Sequence, residues 1–219
     1  WVSKSFSNTI IFRKLRAVFG DDPKRVELRE ELPHRAEISN CYLTGHALSA
    51  PDIPKIFCGQ FPHTKFSKPL PDFFVANGYC LVSEKCAEVF RKFDLGEGGL
   101  EPVAVYQGDC ETLVPGTYFL LNFGCRKNCF VPEKSDWRFE PMPSTAPTFW
   151  AFAGDMADDY TALSVDALRG SDLWFDTRVR SLLFFSGQLV DALRAAKVTR
   201  TIQLRRCRIE ADVSVGGAL

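Results

Sequence analysis

Residues 171–197, SDLWFDTRVRSLLFFSGQLVDALRAAK, combine an apolar run, a serine and a helical pattern. After Ser186, apolar residues recur at Leu189, Leu193 and Ala196, which is the spacing of one helix face. Serine directly before such a pattern is a favoured N-cap, because its oxygen accepts an otherwise unpaired backbone N–H. The run LLFF before Ser186 is typical of a buried strand. The stretch therefore predicts a strand, a cap and a helix.

The same stretch also has the residue types of a nucleophilic site. Ser186 is preceded by two aspartates, Asp172 and Asp176. A nucleophile elbow, however, places glycines two residues before and two residues after the serine. Phe184 and Gln188 occupy those positions. We therefore predict a structural cap, and we predict no catalytic residue.

An earlier segment repeats the pattern. PDFFVANGYCLVSEKCAEVFRKFDL also carries an aspartate, an apolar run, a serine and an amphipathic segment. The spacing is 11 residues from Asp72 to Ser83 and 14 residues from Asp172 to Ser186. We predict two similar strand-cap-helix-strand units, at about 70–107 and 171–210.

The remaining segments complete the prediction of fold and domains. Alternating apolar residues predict further strands at 101–107 and 117–123, paired as a loose hairpin, and around Ile202, Leu204 and Ile209. Asp22 and Pro23 predict the start of a short helix, and residues 36–71 have the composition of loops with short strands. We expect an α+β fold with mixed, largely antiparallel sheets and a few packed helices.

Four prolines mark a connection between two halves. They lie in residues 132–148, which separate an N-terminal half, 1–131, from a C-terminal half, 149–219. The two halves are either separate α+β units or parts of one compact domain. No apolar run reaches the length of a membrane span, and the first residues lack the pattern of a signal peptide.

Charge and cysteine content limit the classes of partner and the redox compartment that we expect for this chain. The chain has 27 Lys and Arg and 27 Asp and Glu, so zero formal net charge disfavours bulk attraction to nucleic acid or to anionic membranes. Eight cysteines in a chain of this length, several of them in apolar segments, favour buried thiols in a reducing compartment over a disulfide framework. We expect no nucleic acid or membrane partner.

A metal site is the main alternative to a purely structural use of these side chains. CRKNC at 125–129 is one loosely spaced cysteine pair, whereas structural zinc sites have two tight pairs. His34, His46 and His63 lie in loop-rich sequence without a carboxylate at ligand spacing. We predict no metal and no cofactor, and keep a metal-dependent or His/Cys-based enzyme as the alternative.

Five segments of the two halves carry a family resemblance. They are PDFFVANGYCLVSEKCAEVF and LEPVAVY in the first half, and ALRGSDLWFD, LLFFSGQLVDALRAAKV and LRRCRIE in the second. Through these segments, residues 70–219 resemble a bacterial family of immunity domains from polymorphic toxin systems. It implies a soluble bacterial protein that binds and neutralises a cognate toxin. The cysteine content and the missing catalytic set lead us to expect a cytoplasmic protein that is not an enzyme. The family offers no catalytic residues to transfer.

The binding surface is expected near the connection. Loops carry function more often than core elements do, and aromatic residues are enriched in interfaces. The acidic residues after the connection and the basic C-terminal segment have opposite charges, so they either compensate each other in part or steer a partner. The candidate binding residues are Trp137, Trp150, Asp158, Asp159 and Tyr160.

Overall fold

The computed structural model describes residues 1–4, 6, 12–25, 32–142 and 149–211. The α-helices of these residues are Leu32–Leu43 (α1), Glu84–Phe90 (α2) and Gly187–Ala195 (α3), and single 3₁₀ turns span Ala50–Asp52, Pro132–Lys134 and Val165–Leu168. The strands are Val2–Ser3 (β1), Phe12–Arg13 (β2), Leu15–Val18 (β3), Ile56–Gly59 (β4), Phe73–Ala76 (β5), Tyr79–Ser83 (β6), Gly99–Tyr106 (β7), Tyr118–Asn122 (β8), Arg126–Lys127 (β9), Phe139–Pro141 (β10), Trp150–Phe152 (β11), Ala162–Ser164 (β12), Leu173–Asp176 (β13), Leu183–Phe185 (β14) and Arg208–Glu210 (β15).

The strands form mixed, mostly antiparallel sheets. A seven-stranded sheet has the order β2-β5-β6-β8-β7-β4-β3, and a four-stranded sheet has the order β1-β14-β13-β9. Two small sheets pair β10 with β11 and β12 with β15. The predicted α+β class is confirmed, and so is the predicted antiparallel pairing of β7 with β8.

Each predicted unit is a β-hairpin that leads into a capped helix. β5 and β6 form the first hairpin before α2, and β13 and β14 form the second before α3. Each hairpin is flanked by one parallel strand and one antiparallel strand. These are β2 and β8 in the first unit and β9 and β1 in the second. The two units therefore share a four-stranded arrangement as well as a sequence pattern.

The spacing difference between the units comes from the hairpin loops. In the first hairpin, Asn77 and Gly78 both have positive φ, +50° and +86°, which suits a two-residue turn that follows the right-handed twist of the strands. In the second, residues 177–182 connect the strands. The longer loop explains why Asp172 and Ser186 are further apart in sequence than their counterparts.

The main hydrophobic core joins both units. Phe74 and Leu81 of the first hairpin and Leu183 of the second are fully buried in the same cluster as Leu189 on α3. The helices α2 and α3 contact each other across this core. A second cluster, which includes Trp174 and Phe184, lies on the other side of the β13–β14 hairpin.

Strands from the N-terminal part complete the second unit. β1 and β9 both lie within residues 1–131, yet they pair with β14 and β13. The backbone N–H of Phe185 also donates to the Trp1 carbonyl at 2.9 Å. The four-stranded sheet of the second unit is thus assembled from three separate parts of the chain.

Three local predictions were wrong. The region predicted as loops contains most of α1, whose Ile38 and Tyr42 are one helical turn apart and face the core. Asp22 accepts from the Lys24 N–H at 2.9 Å, but the chain turns at 23–24, and residues 26–31 lie outside the described residues. Ile202 is buried in a turn, so β15 is the only strand after α3 among the described residues.

The Pro-rich connection is more ordered than its composition predicted. It contains the 3₁₀ turn at 132–134 and β10, which pairs with β11. Its residues 143–148 lie outside the described residues. In the part of the chain that the structure describes, no helix has the length and apolar character needed to cross a bilayer.

Candidate functional site

Ser186 is held as a helix cap. Its Oγ donates to Asp172 Oδ1 at 2.6 Å and accepts from the Leu189 N–H at 3.2 Å. Its backbone N–H donates to the Asp172 carbonyl at 2.8 Å. The predicted cap is confirmed, and we call the hydrogen-bonded pair of Ser186 and Asp172 a clasp.

The first unit contains the same clasp. Ser83 Oγ donates to Asp72 Oδ1 at 2.6 Å and accepts from the Cys86 N–H at 3.3 Å. The Ser83 N–H donates to the Asp72 carbonyl at 3.0 Å. In the sequence, each hairpin is preceded by an aspartate and followed by a serine. This repeated pair is the signal from which the role of Asp72 and Asp172 could have been predicted.

The second aspartate of the opening stretch is also structural. Asp176 is 4% exposed and ends β13. Its Oδ2 accepts from the N–H groups of Cys129 and Phe130 at 2.7 and 2.8 Å, and its Oδ1 accepts from the Arg178 N–H at 2.9 Å. The carboxylate therefore fixes the segment after β9 and the hairpin loop to the same strand end.

The histidines are in three separate local settings. His34 lies 3.6 Å from Asp52, His46 Nε2 lies 3.0 Å from Arg126 Nη1, and the His63 ring stacks on Phe61. Within the described residues, no three His, Cys, Asp or Glu side chains are grouped closely enough to hold a metal ion.

All eight cysteines are free thiols. Cys80 and Cys86 are fully buried, as their apolar segments predicted, and burial is the main cause that raises the pKa of each thiol. Cys125 and Cys129 flank β9. Burial, followed by the charge of Asp176, raises the pKa of Cys129.

Two of the predicted binding residues share a stacked arrangement. The Trp137 side chain is 77% exposed. The Arg138 guanidinium lies 5.1 Å from the Trp137 ring centroid and 4.8 Å from that of Tyr160. Asp136 holds this arrangement, because its carboxylate lies 3.3 Å from the Arg138 guanidinium and its N–H donates to the Tyr160 carbonyl.

Two further predicted residues are bound to the basic C-terminal segment. Both carboxylate oxygens of Asp159 accept from Arg206, at 3.1 and 2.7 Å, and Asp158 accepts from the Arg206 N–H at 2.7 Å. The hydrogen bond from Arg206 lowers the pKa of Asp159. The expected compensation between acidic and basic segments therefore occurs at this contact, directly beside Tyr160 in the chain.

Trp150 lies apart from the stacked arrangement. It is half-buried on β11 and packs against the second hydrophobic cluster, with its ring 6.3 Å from that of Phe130. Trp137, Asp158, Asp159 and Tyr160, together with Arg138 and Arg206, form the surface that we call the docking strip.

A cavity of about 560 Å³ adjoins the docking strip. Arg206 belongs to both, since it lines the cavity and pairs with Asp159. Leu168 and Ile209, which also line it, are 72% and 41% exposed. The other lining residues are Trp1, Lys127, Leu163, Ala167, Gly170, Ser171, Asp172, Trp174, Phe185, Ser186, Gly187, Gln188 and Cys207.

Several polar groups of the cavity wall already have partners within the protein. Lys127 Nζ donates to the Ser171 carbonyl at 2.8 Å and lies 3.7 Å from the Trp174 ring centroid. Asp172 and Ser186 are joined in the clasp. Sequence reasoning missed this cavity because its wall comes from five separated segments, which no local pattern connects.

No protein-family model matches the chain, and no curated protein matches it.

Replacing Ser186 with alanine should lower the free energy of unfolding by about 1 kcal/mol, the usual cost of losing a helix cap. Urea denaturation measures this change, and Ser83→Ala provides the matched variant in the first unit. A loss of function in Ser186→Ala larger than its loss of folded protein would contradict a purely structural hydroxyl.

Proposed function

We propose that this chain is a protein-binding module that binds and neutralises a cognate bacterial toxin through the docking strip. The observation that carries the proposal is the exposed Trp137 ring, which is held in place by Arg138. The resemblance of residues 70–219 to toxin-immunity domains supplies the class of partner.

The composition of the docking strip supports recognition of a protein. Tryptophan, tyrosine and arginine are the residue types most enriched among those that dominate binding energy. Because the Arg138 guanidinium contacts both rings, these side chains lose less conformational freedom on binding than free side chains would. An ordered aromatic group of this kind is suited to serve as the centre of an interface.

The surroundings of Trp137 and Tyr160 supply the polar part of such an interface. The ion pair between Asp159 and Arg206 is partly exposed, and the Asp158 carboxylate accepts a hydrogen bond from the backbone N–H of Arg206. Charged groups at an interface rim mainly set specificity and association rate. We infer that these aspartates and Arg206 present a fixed arrangement of opposite charges, and that the charges on the toxin surface must be complementary to it.

The proposed location is the bacterial cytoplasm. Eight free thiols suit the reducing conditions of this compartment. The proposed action is stoichiometric binding, without a chemical step carried out by this chain.

Trp137→Ala should weaken toxin binding by about tenfold or more, since truncating a central aromatic group at an interface commonly costs over 1 kcal/mol. The free energy of unfolding should change little, because the side chain is exposed. The toxin is taken as the product of the neighbouring gene, and calorimetry with the purified pair measures the affinity.

Leu113→Ala is the matched control. Leu113 is 59% exposed, pairs with Tyr106 at the end of β7 and is not part of the docking strip. Co-expression with the toxin should protect cells for the wild type and for Leu113→Ala. Equal affinities for both variants would place the interface elsewhere, and absence of wild-type binding and protection would refute the function itself.

A further inference from the structure

Two thiols meet at the edge of the seven-stranded sheet, far in sequence from the docking strip. Cys58 is fully buried on β4, and Cys110 is half-buried in the turn that follows β7. Both pack in one small hydrophobic cluster with Val18, Ile56 and Tyr106. Parallel pairing of β4 with β7 brings the two segments together, with Cys58 opposite Tyr106.

Arg16 connects the surroundings of the two sulfurs. It lies opposite Cys58 in the pairing of β3 with β4. Its Nη2 donates to Cys110 Sγ at 3.4 Å and to the Pro23 carbonyl at 2.8 Å. The Cys58 thiol donates to the same Pro23 carbonyl at 3.3 Å.

The two thiols differ in their environments. Burial, followed by a hydrogen bond with the Cys110 thiol, raises the pKa of Cys58 to about 12. Cys58 is therefore a protonated thiol at neutral pH. Cys110 is half-buried, so its sulfur is accessible to solvent, and it is in contact with the Arg16 guanidinium.

We propose that Cys58 and Cys110 are a redox modification site, in which a low-molecular-weight disulfide converts the two thiols into an intramolecular disulfide. The half-exposed Cys110 is the attacking residue, and the buried Cys58 is the resolving residue. This arrangement of an accessible thiol beside a second thiol is the one found in cysteines that respond to oxidants.

The reaction proceeds in two exchange steps. The Cys110 thiolate attacks one sulfur of the small disulfide, whose S–S bond breaks, and the other half leaves and takes up the proton that Cys110 lost. Cys58 then attacks the Cys110 sulfur, the bond from Cys110 to the small thiol breaks, and the proton of Cys58 passes to the departing thiolate. The two cysteines lose two electrons, and the small disulfide becomes two thiols.

The turn that carries Cys110 is fixed in place. Asp109 accepts from the N–H groups of Glu111 and Thr112, both at 2.9 Å, and from the Thr112 hydroxyl at 2.7 Å. The backbone N–H of Cys110 donates to the Gln107 carbonyl. A disulfide would therefore join two segments that already lie side by side, and we expect little change in the fold.

The test is oxidation of the full chain with glutathione disulfide, followed by alkylation of remaining thiols and peptide mass spectrometry. The expected result is a Cys58–Cys110 cross-link. Cys58→Ser should instead retain a glutathione adduct on Cys110, because the resolving thiol is absent. In Cys110→Ser, Cys58 should remain unmodified.

Cys41 provides an internal control, since it is exposed and gains a glutathione adduct wherever the oxidant has reacted. Cys41→Ser should still form the Cys58–Cys110 cross-link. A wild-type sample with a modified Cys41 but without that cross-link overturns the proposal, as does a cross-link that pairs either cysteine with another partner.

Discussion

Replacing Asp176 with alanine should lower the free energy of unfolding by about 3–5 kcal/mol, the largest change we expect from a polar residue in this protein. The carboxylate is 4% exposed and accepts three backbone hydrogen bonds, from Cys129, Phe130 and Arg178. Alanine would leave these donors without their acceptor in a region where Cys129 and Phe130 are fully buried. An unpaired buried donor costs about 1–3 kcal/mol.

Urea denaturation followed by circular dichroism measures the change. The slope of the unfolding free energy against urea concentration should be the same for both proteins, which shows that the same transition is compared. Asp155→Ala is the matched control, because Asp155 is an exposed aspartate of the same half. It should remain within about 0.5 kcal/mol of the wild type. If Asp176→Ala behaved like this control, the three contacts would have no net stabilising role.

The sequence predicts best those features that depend on neighbouring residues. The caps at Ser83 and Ser186, the helices after them and the buried runs before them follow from local hydrogen bonding and periodicity. All of these are confirmed. The duplicated pattern also predicted two similar units, and the two hairpins share flanking strands of the same orientation.

Features that depend on distant pairing were not predictable from the pattern. β1 and β9 contain two residues each, too few to show a period, and they are strands because the β13–β14 hairpin supplies their partners. The helix α1 was missed for a related reason. Among residues 34–43, whose burial the structure describes, Ile38 and Tyr42 are the buried ones, and this face is too narrow to show as a broad apolar stripe in the sequence.

The candidate site was predictable as a region but not as a set of contacts. Composition pointed to Trp137 and Tyr160, and the structure places both rings in contact with Arg138, which the sequence did not single out. The acidic residues were identified, but their partner Arg206 lies about 47 positions later and is recognised only once the chain is folded. Charge runs in a sequence do not reveal which opposite charges meet.

The two units are joined by contacts between each hairpin and the end of the other unit's helix. The Asp94 N–H, just after α2, donates to Asp172 Oδ2 at 3.0 Å, and the Asp172 N–H donates to the Asp94 carbonyl at 2.8 Å. After α3, the Thr201 hydroxyl donates to the Phe73 carbonyl at 2.6 Å. Asp172 is therefore both the clasp of its own unit and a link to the first.

This double role predicts a larger effect for Asp172→Ala than for Asp72→Ala. Asp172→Ala removes hydrogen bonds from Ser186 and Asp94 to a charged acceptor and should cost about 2–3 kcal/mol. Asp72→Ala removes the bond from Ser83 and should cost about 1–2 kcal/mol. Urea denaturation of both variants compares the two costs directly.

A double-mutant cycle separates the clasp from the link between units. The pair Asp172→Ala and Ser186→Ala should show a coupling energy of about 1 kcal/mol, because each single variant already breaks the bond between the two side chains. The remaining cost of Asp172→Ala then measures the link to Asp94. Coupling near zero would mean that Ser186 caps α3 without help from Asp172, and equal costs for the two aspartates would mean that the link does not stabilise the fold. If Asp172→Ala still lowers the free energy of unfolding after the coupling with Ser186 is subtracted, the contact with Asp94 between the two units contributes to the stability of the fold.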